Sequence, residues 1–393
     1  MSWPRLGRPG GSSLILALGV TQVFGYGALY YAFTVLAPRM TASFGWTPEW
    51  TYGGFAIGLF LGGAVAPITG SLIDRYGTRL VMTTGSALAG LALLALAEAR
   101  GLVSYVLAMV ALQAVTTAVF YDAAFAALTQ ARGSQARRAI SQLTLIGGFA
   151  STLFWPLTSS LLAILDWRGV YRLYGVAQIL VCMPLHLAFL PGRVKRPVVA
   201  AAVPAASPAT PEPEMVYLTG DARRRAFLLL ALAFSLQGFV VSAMAVHMLA
   251  LLQGFGLSAA VAVGIGAMLG PSQVAGRLAE MLFGRSVSPI TTAWVSAWLM
   301  PLGLLLLLLG GSLAVVAGLF AIAFGISMGL SSIVRGTVPL QLFGPLGFGA
   351  TMGKLSAPGL VIKAAAPLAF AVALERGGVA VSTLVLIVFS SLA

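Results

Sequence analysis

The sequence has few charged residues and very few acidic ones. Only 8% of its 393 residues are Asp, Glu, Lys or Arg, whereas 59% are hydrophobic. A water-soluble domain carries about 25% charged residues, so this composition excludes a soluble protein and predicts an integral membrane protein. The 23 basic residues outnumber the 10 acidic ones, but they occur in small groups between apolar runs. This spacing is typical of loop charges that orient a membrane protein rather than of a nucleic-acid-binding surface.

Cysteine and recognisable catalytic motifs are also scarce. The single cysteine, Cys182, lies in an apolar run, which excludes a disulfide framework and a cysteine metal site. No Walker loop is present, so ATP hydrolysis is not expected to drive the protein. No Ser/His/Asp or His/Glu/His arrangement indicates an enzyme. The sequence therefore predicts no catalysis, cofactor or metal. We also expect no cleavable signal peptide, because the first apolar run is too long for one.

Long apolar runs are what the sequence does contain. At a rise of 1.5 Å per residue, a helix of about 20 apolar residues crosses the hydrocarbon core of a bilayer. Twelve runs of roughly this length predict twelve transmembrane helices. They cover residues 13–36, 51–73, 80–97, 103–129, 140–165, 171–190, 226–252, 259–283, 290–309, 313–334, 351–374 and 379–393.

The connecting segments predict the orientation. Most Lys and Arg residues, with Arg335 counted as a loop charge, fall in segments on the same side as the N-terminus. The positive-inside rule then predicts that both termini are cytoplasmic. The membrane we expect is the inner (plasma) membrane of a bacterial-type cell.

One connection stands apart in length and composition. Residues 191–225 are rich in Ala, Pro and Ser and carry basic clusters at both ends, which is typical of a flexible cytoplasmic linker. The linker divides the chain into predicted six-helix bundles at residues 1–190 and 226–393. The halves also look related, because Gly148 and Pro156 recur at a constant offset as Gly359 and Pro367. Parallel six-helix repeats place a substrate site near the membrane midplane between them.

A short connector after the second run carries the most specific motif. Residues 70–79 read GSLIDRYGTR, and the ordered positions are Gly70, Asp74, Arg75, Gly77 and Arg79. Positive-inside topology and a glycine turn would explain the two arginines alone, but not the ordered pattern. The pattern resembles the signature loop of the major facilitator superfamily. This resemblance implies an all-α membrane protein of twelve helices in two pseudo-symmetric bundles, with residues 70–79 as a gating motif.

A weaker copy of the motif lies in the second half, at residues 276–285, and contains Glu280. Two further stretches carry a narrower resemblance. Residues 44–50, FGWTPEW, and the glycine-spaced stretch at 343–367 resemble bacterial monocarboxylate porters and the related oxalate/formate antiporters. That resemblance implies a small organic anion as cargo, held by cationic side chains on the eighth and eleventh helices.

Ionisable residues at membrane depth are the main candidates for the transport pathway. They are costly there and are usually functional. Lys363 lies in the middle of the eleventh run and Arg277 lies in the eighth, so we predict both as substrate ligands. A guanidinium can hold a carboxylate with two hydrogen bonds, and an ammonium adds a point charge. The alternatives are a Lys363 that only reaches an aqueous vestibule, and an Arg277 that pairs with Glu280 three residues later.

Three residues are candidates for coupling: Asp122, Glu280 and His247. A carboxylate in a low-dielectric site can carry a proton, so Asp122 is a candidate proton carrier or a counter-ion for Lys363 or Arg277. The alternative is a structural salt bridge, for example to Arg132. His247 is a candidate relay, with helix packing as the alternative.

Aromatic and amide side chains complete the predicted pathway. Tyr26 and Tyr30 share one helix face and are predicted to offer hydroxyl groups to a carboxylate, an interfacial aromatic belt being the alternative. Gln273 is predicted as a further substrate ligand. Amides at 22, 113 and 237 are candidates for the pathway or for helix–helix contacts.

The prediction as a whole is a monomeric secondary transporter in the lipid bilayer. It moves a small organic anion, a monocarboxylate or short dicarboxylate, by alternating access, with proton coupling or exchange left open. One alternative is a proton-coupled exporter of a cationic or amphipathic compound that uses Asp122. A second alternative is a transport-inactive ligand sensor on the same fold.

Overall fold

A computed structural model of the protein describes residues 11–192, 217–284 and 287–393, and every regular element in these ranges is a helix. Eleven helices there are long and apolar enough to cross a membrane. The last of them, Phe348–Ser391, is 44 residues long and is broken at Gly378, whose φ of 67° and ψ of −176° only glycine adopts readily. This break separates two spans, so the prediction of an all-α, twelve-helix membrane protein is confirmed.

We number the spans in chain order. They are α1 Ser12–Phe44, α2 Pro48–Tyr76, α3 Thr78–Ala97, α4 Leu102–Arg132, α5 Arg137–Leu161, α6 Trp167–Phe189, α7 Gly220–Gly254, α8 Ala259–Phe283, α9 Pro289–Gly310, α10 Ala314–Phe343, and α11 and α12 before and after Gly378 within Phe348–Ser391.

The connection between the bundles is shorter than its sequence suggests. Helix α6 ends at Phe189 and α7 begins at Gly220, so the last six residues of the predicted linker are helical. Residues 193–216 of that linker lie outside the described residues. The bundles are therefore α1–α6 and α7–α12.

Several spans lose regular α-helix geometry near their middle. Helix α1 contains a π-helical turn at Gly27–Tyr31, and α4 is interrupted between Thr116 and Tyr121. Helix α8 is interrupted at Met268. Irregular backbone at membrane depth is tolerated where it is buried in protein or lines a cavity, and π-turns and broken helices often mark functional sites. The irregular segments of α1 and α4 lie beside the cavity described below.

Three hydrophobic clusters hold the helices together. One lies within the first bundle and one within the second. The third joins the bundles and includes Phe125 and Ile140 from the first, and Phe343 and Phe348 from the second. These residues lie toward the membrane end that carries Asp74, which we call the Asp74 end.

The contacts between bundles are concentrated at the Asp74 end. Helix α2 packs along α11, and a Cβ atom at Gly353 would overlap the carbonyl oxygen of Ala66. The first part of α5 packs on α8 and α10, and the second part of α4 packs on α10 and α11. These segments are the halves of their spans nearer Asp74. The bundles therefore meet at this end and leave a cavity between them.

Candidate functional site

The cavity lies between the two bundles and has a volume of about 300 Å³. Helices α1, α2 and α4 line it from the first bundle, and α7, α10 and α11 line it from the second. Three of its lining residues are charged: Asp122, Arg335 and Lys363. A site at the middle of the membrane between two repeats is the arrangement expected of a secondary transporter.

Asp122 and Arg335 form an ion pair across the cavity. Nε of Arg335 donates to one carboxylate oxygen at 3.0 Å, and Nη2 donates to the other at 3.1 Å. Nη2 also donates to Oγ of Ser356 at 2.7 Å, and the Ser356 hydroxyl contacts the Asp122 carboxylate. Two parallel N–H···O bonds of this kind give strong and directional recognition of a carboxylate. Because Asp122 is on α4 whereas Arg335 and Ser356 are on α10 and α11, the cluster joins the two bundles.

The expectation that Arg335 is a loop charge is wrong. Helix α10 continues to Phe343, so Arg335 lies roughly 12 Å from its end. The run predicted from the sequence ends at Val334, immediately before this charge, and Pro339 follows four residues later. A proline within a transmembrane helix is tolerated because neighbouring helices satisfy the freed backbone groups. The apolar residues after Arg335 were the signal that could have extended the span.

The partner of Asp122 also differs from the partners considered for it. Lys363, Arg277 and Arg132 were the candidates, and the bonded partner is Arg335.

Lys363 lines the cavity from α11 without a counter-ion. Within the described ranges, its ammonium group makes no ion pair and no hydrogen bond. Its stem packs on Gly238, where a Cβ atom would lie 3.0 Å from Cε of Lys363. Its backbone carbonyl accepts a hydrogen bond from Ser242 at 2.9 Å. Gly238 and Ser242 therefore position the long side chain of Lys363, and its ammonium group has no bonding partner among the described residues.

Neutral polar groups line the same cavity from the first bundle. Gln113 lines the cavity, is only 2% exposed, and neither atom of its amide has a partner among the described residues. Tyr26 and Tyr30 line the cavity as well, and their hydroxyls form no hydrogen bond in the described part of the chain. Tyr26 stacks on Phe120, with ring centroids 4.1 Å apart. A buried amide without a partner is costly, so Gln113 leaves an unsatisfied donor and acceptor at the wall of the cavity.

Arg277 is buried beside the cavity but does not line it. Its side chain is 6% exposed, and its Nε donates at 3.1 Å to Ser332, a residue that does line the cavity. Its Nη2 donates to Gln273 at 3.4 Å, and Gln273 does not line the cavity either. Its Nη1 has no partner among the described residues and occupies the space that a Cβ atom would fill at Gly148 of α5.

Glu280 and His247 lie away from the cavity. Glu280 is 8% exposed and accepts from Nη2 of Arg137 at 3.2 Å, so the alternative pair between Arg277 and Glu280 is not formed. His247 uses Nε2 to contact the carbonyl oxygen of Pro367 at 2.9 Å. In the described ranges, no group of three or more His, Cys, Asp or Glu side chains is arranged to hold a metal ion.

The motif residues join α2 to its neighbours at the Asp74 end. The Asp74 carboxylate accepts from the backbone N–H groups of Gly349 at 3.0 Å and Ala350 at 2.7 Å, in the first turn of α11. The free N–H groups and the positive dipole end of a helix favour a carboxylate there. Gly70 lies against the backbone of Gly349, where no Cβ atom would fit. Asp74 therefore caps a helix of the other bundle.

The other motif residues act within the first bundle. Gly77, with a φ of 87°, makes the turn between α2 and α3. Arg79 donates from Nε to the carbonyl oxygen of Leu190 at 2.7 Å, and Arg75 lies over the ring of Tyr76. These contacts fix the connector from which Asp74 reaches α11.

Comparisons with known proteins agree with this architecture. The family model described as Major Facilitator Superfamily matches residues 18–357. The human organic anion transporter MFSD10 (TETRAN) is similar in structure, with a TM-score of 0.74 at 16% identity over 98% of each chain. The proton:xylose symporter XylE, bound to 6-bromo-6-deoxy-D-glucose, has a TM-score of 0.70 at 11% identity and covers 96% of this chain and 95% of its own.

A third solved structure, FucP in the outward conformation, has a TM-score of 0.64 at 14% identity over 97% of each chain. No curated protein matches the sequence. The narrower resemblance to monocarboxylate and oxalate/formate carriers receives no support from these matches and stays a prediction. The family match and the twelve-helix architecture together show that the chain belongs to the major facilitator superfamily and is a membrane transporter rather than an enzyme.

Proposed function

We propose that this transporter moves a small organic anion by alternating access, with Lys363 as the group that holds the anion. The observation that carries the proposal is the ammonium of Lys363, which lines the cavity between the bundles without a counter-ion in the described residues. A buried charge without a partner is strongly disfavoured. An anionic cargo would supply the missing partner, whereas a cationic cargo would be repelled.

The other charges of the cavity cancel each other. Asp122 neutralises Arg335 through two hydrogen bonds, which leaves Lys363 as the excess charge among the lining residues. The human organic anion transporter among the similar structures is consistent with such a cargo. A neutral cargo, such as the sugar of the xylose symporter, would leave Lys363 unpaired.

The opposite side of the cavity favours a cargo with a second, hydrogen-bonding end. Gln113 and the hydroxyls of Tyr26 and Tyr30 have no partners in the described ranges. A volume of about 300 Å³ holds on the order of ten water molecules at the volume of the liquid. A carboxylate at Lys363 and a polar group at Gln113 would therefore suit a molecule of a few carbons.

The contacts at the Asp74 end support the outward-facing state as the one described here. If the N-terminus is cytoplasmic, as the loop charges predict, the closed end is the cytoplasmic one. The contact of Asp74 with the start of α11 and the ion pair of Arg137 with Glu280 would then stabilise closure on that side. Inward opening would break both contacts, and cargo bound at Lys363 would lower the cost of closing the cavity around a charge.

The proposed function can be tested on the purified full chain in liposomes. We expect saturable counterflow of at least one of pyruvate, lactate, oxalate and succinate, and none of choline. Lys363→Gln should reduce that counterflow by about 30-fold or more, as expected for loss of one partner of a desolvated charge pair. Lys354→Gln is the matched control, because Lys354 is an exposed lysine of the same helix.

The outcomes separate the three candidate functions. Anion counterflow that persists in Lys363→Gln would overturn the proposed role of Lys363. Counterflow of choline alone would favour the cation exporter that uses Asp122. Thermal stabilisation by an anion without any flux would indicate the sensor.

A further inference from the structure

We propose that Asp122 sets the charge of the cargo. While Asp122 occupies Arg335 the cavity takes a monoanion, and it takes a dianion only when Asp122 releases Arg335 and binds a proton. This inference rests on the proposed function, and adds to it the charge state of the anion and its link to protons.

Asp122 holds Arg335 in the way that the carboxylate of a cargo molecule would. Both oxygens of Asp122 face two donors of one guanidinium, at 3.0 and 3.1 Å. This fork geometry is the one in which arginine recognises free carboxylates. Both side chains line the cavity and are 25% exposed, so a second carboxylate can reach the same donors. Asp122 is therefore an internal competitor for any cargo that could use Arg335.

Two cationic side chains lie near Asp122 in the cavity. Arg335 of α10 contacts it directly, and Lys363 of α11 lines the same cavity. Tyr26 and Tyr121 line the cavity as neutral side chains, and the Tyr121 hydroxyl donates to the carbonyl oxygen of Thr144 at 3.5 Å. Ser356 of α11 is bonded to both members of the ion pair. Two cations and one anion leave one positive charge for the cargo to neutralise.

Arg277 is left out of this count because of its position. Arg277 does not line the cavity and contacts its wall through Ser332, which lines the cavity and accepts the hydrogen bond from Arg277. The pair of Arg137 and Glu280 at the Asp74 end is neutral as a unit.

Burial of uncompensated charge is strongly disfavoured even after the protein relaxes. A monoanion at Lys363 makes the closed cavity neutral. A dianion would leave one negative charge too many. If the second carboxylate takes Arg335, the displaced Asp122 can bind one proton from solvent, and the cavity is neutral again. Dianion binding is then coupled to the uptake of one proton.

The cluster also joins the two bundles, with Asp122 on α4 and its partners on α10 and α11. Release of Asp122 therefore removes a contact between the halves as well as a charge. A dianion and a proton together would loosen the same interface that must separate when the Asp74 end opens.

The test uses three probes that share a four-carbon chain and differ in charge: succinate, succinamate and succinamide. Binding to the purified wild-type transporter is measured by calorimetry at about pH 7.5, where free carboxylates are ionised. Repeating each titration in two buffers of different ionisation enthalpy gives the number of protons taken up. We expect succinamate to bind without proton uptake, succinate to bind with uptake of about one proton, and succinamide not to bind.

Variants that change the charge count test the same point independently. Asp122→Asn should bind succinate about tenfold more tightly than succinamate, without proton uptake. Lys363→Gln should lose succinamate binding, and the double variant should recover it, because the cavity then again carries one positive charge. Asp221→Asn is the matched control, since Asp221 is exposed in the first turn of α7.

Each outcome decides the proposal. Wild-type binding of succinate without proton uptake overturns the proposal. An Asp122→Asn variant that does not bind succinate more tightly than succinamate also overturns it. If the variants do not fold, the proton count of the wild type decides alone. If the wild type binds pyruvate, lactate or oxalate but none of the three probes, this inference is overturned and the proposed function stands. If it binds succinamide and no anion, the proposed function falls first and this inference falls with it.

Discussion

The two bundles meet along two seams that occupy equivalent places in the fold but are built from different groups. Helices α2 and α11 form the glycine seam, which we define by Gly63, Gly70 and Gly353. A Cβ atom at Gly63 would lie 2.9 Å from the carbonyl oxygen of Ala357, and a Cβ atom at Gly70 or Gly353 would overlap the facing backbone. Backbone therefore touches backbone along this seam.

Helices α5 and α8 form the arginine seam, which we define by Arg137, Gly148, Arg277 and Glu280. Here an arginine from each bundle reaches the other: Arg137 bonds to Glu280 and to the carbonyl oxygens of Gly284 and Val287, and Arg277 fills the space at Gly148.

The difference indicates how each seam responds to opening. Close-packed backbones have no rotamers with which to adjust, so the glycine seam is either formed or broken. Long side chains can exchange partners, so the arginine seam can change by steps. The signature motif lies on the glycine seam, and its weaker copy lies on the arginine seam.

Gly353→Leu should have the largest effect, because its side chain has no room against Ala66 of α2. Overpacking of this kind costs about 1–3 kcal/mol, and we expect closure of the Asp74 end to be lost. The measurement is labelling of Ala350→Cys by a membrane-impermeant maleimide, with little background because the native Cys182 is buried.

Gly359→Ala is the control for this variant, since a Cβ atom there would make only ordinary contacts, the nearest at 3.9 Å. Equal labelling of the two variants would show that the glycine seam does not control closure.

Asp74→Asn should have the next largest effect. The asparagine keeps one acceptor, whereas the carboxylate caps two N–H groups of α11 and opposes its dipole. We expect the open population to rise by about tenfold, equivalent to about 1.4 kcal/mol. Accessibility of the Ala350→Cys reporter measures the change, and no increase would mean that the cap contributes nothing to closure.

Glu280→Gln should have a smaller effect than Asp74→Asn. Arg137 keeps its bonds to the carbonyl oxygens of Gly284 and Val287 when the acid is lost. We expect a change of about threefold in the same labelling assay, close to the value for a partly exposed ion pair. When Asp74→Asn and Glu280→Gln are combined, their effects on labelling should add, because the two seams share no residue. A larger effect for Glu280→Gln than for Asp74→Asn would show that the arginine seam contributes more to closure than the glycine seam.

Gly148→Ala should have the smallest effect. Its methyl group would displace Nη1 of Arg277, which is the end of a flexible side chain, so we expect less than about 1 kcal/mol of destabilisation. The measurement is the melting temperature together with succinamate affinity.

Arg277→Gln completes the comparison. If it lowers affinity by about tenfold while Gly148→Ala does not, the predicted role of Arg277 as a ligand is supported. If the two variants behave alike, Arg277 belongs to the seam.

The sequence predicted the parts of this molecule that depend on local composition. Run lengths predicted the twelve spans, and the order of residues in 70–79 predicted the superfamily. The depth of Lys363 followed from its distance along one helix. Hydrophobic length and turn chemistry are properties of consecutive residues, so no knowledge of the packing was needed.

The pairing of charges was not accessible in the same way. Asp122 and Arg335 are 213 positions apart, and their contact exists because α4 and α10 approach each other across the cavity. Packing of α8 against α5 and α10 likewise places Arg277 against Ser332 and pairs Glu280 with Arg137 rather than with Arg277. Burial in a bilayer implies that each charge needs a partner, but which partner it has depends on how the two bundles pack against each other.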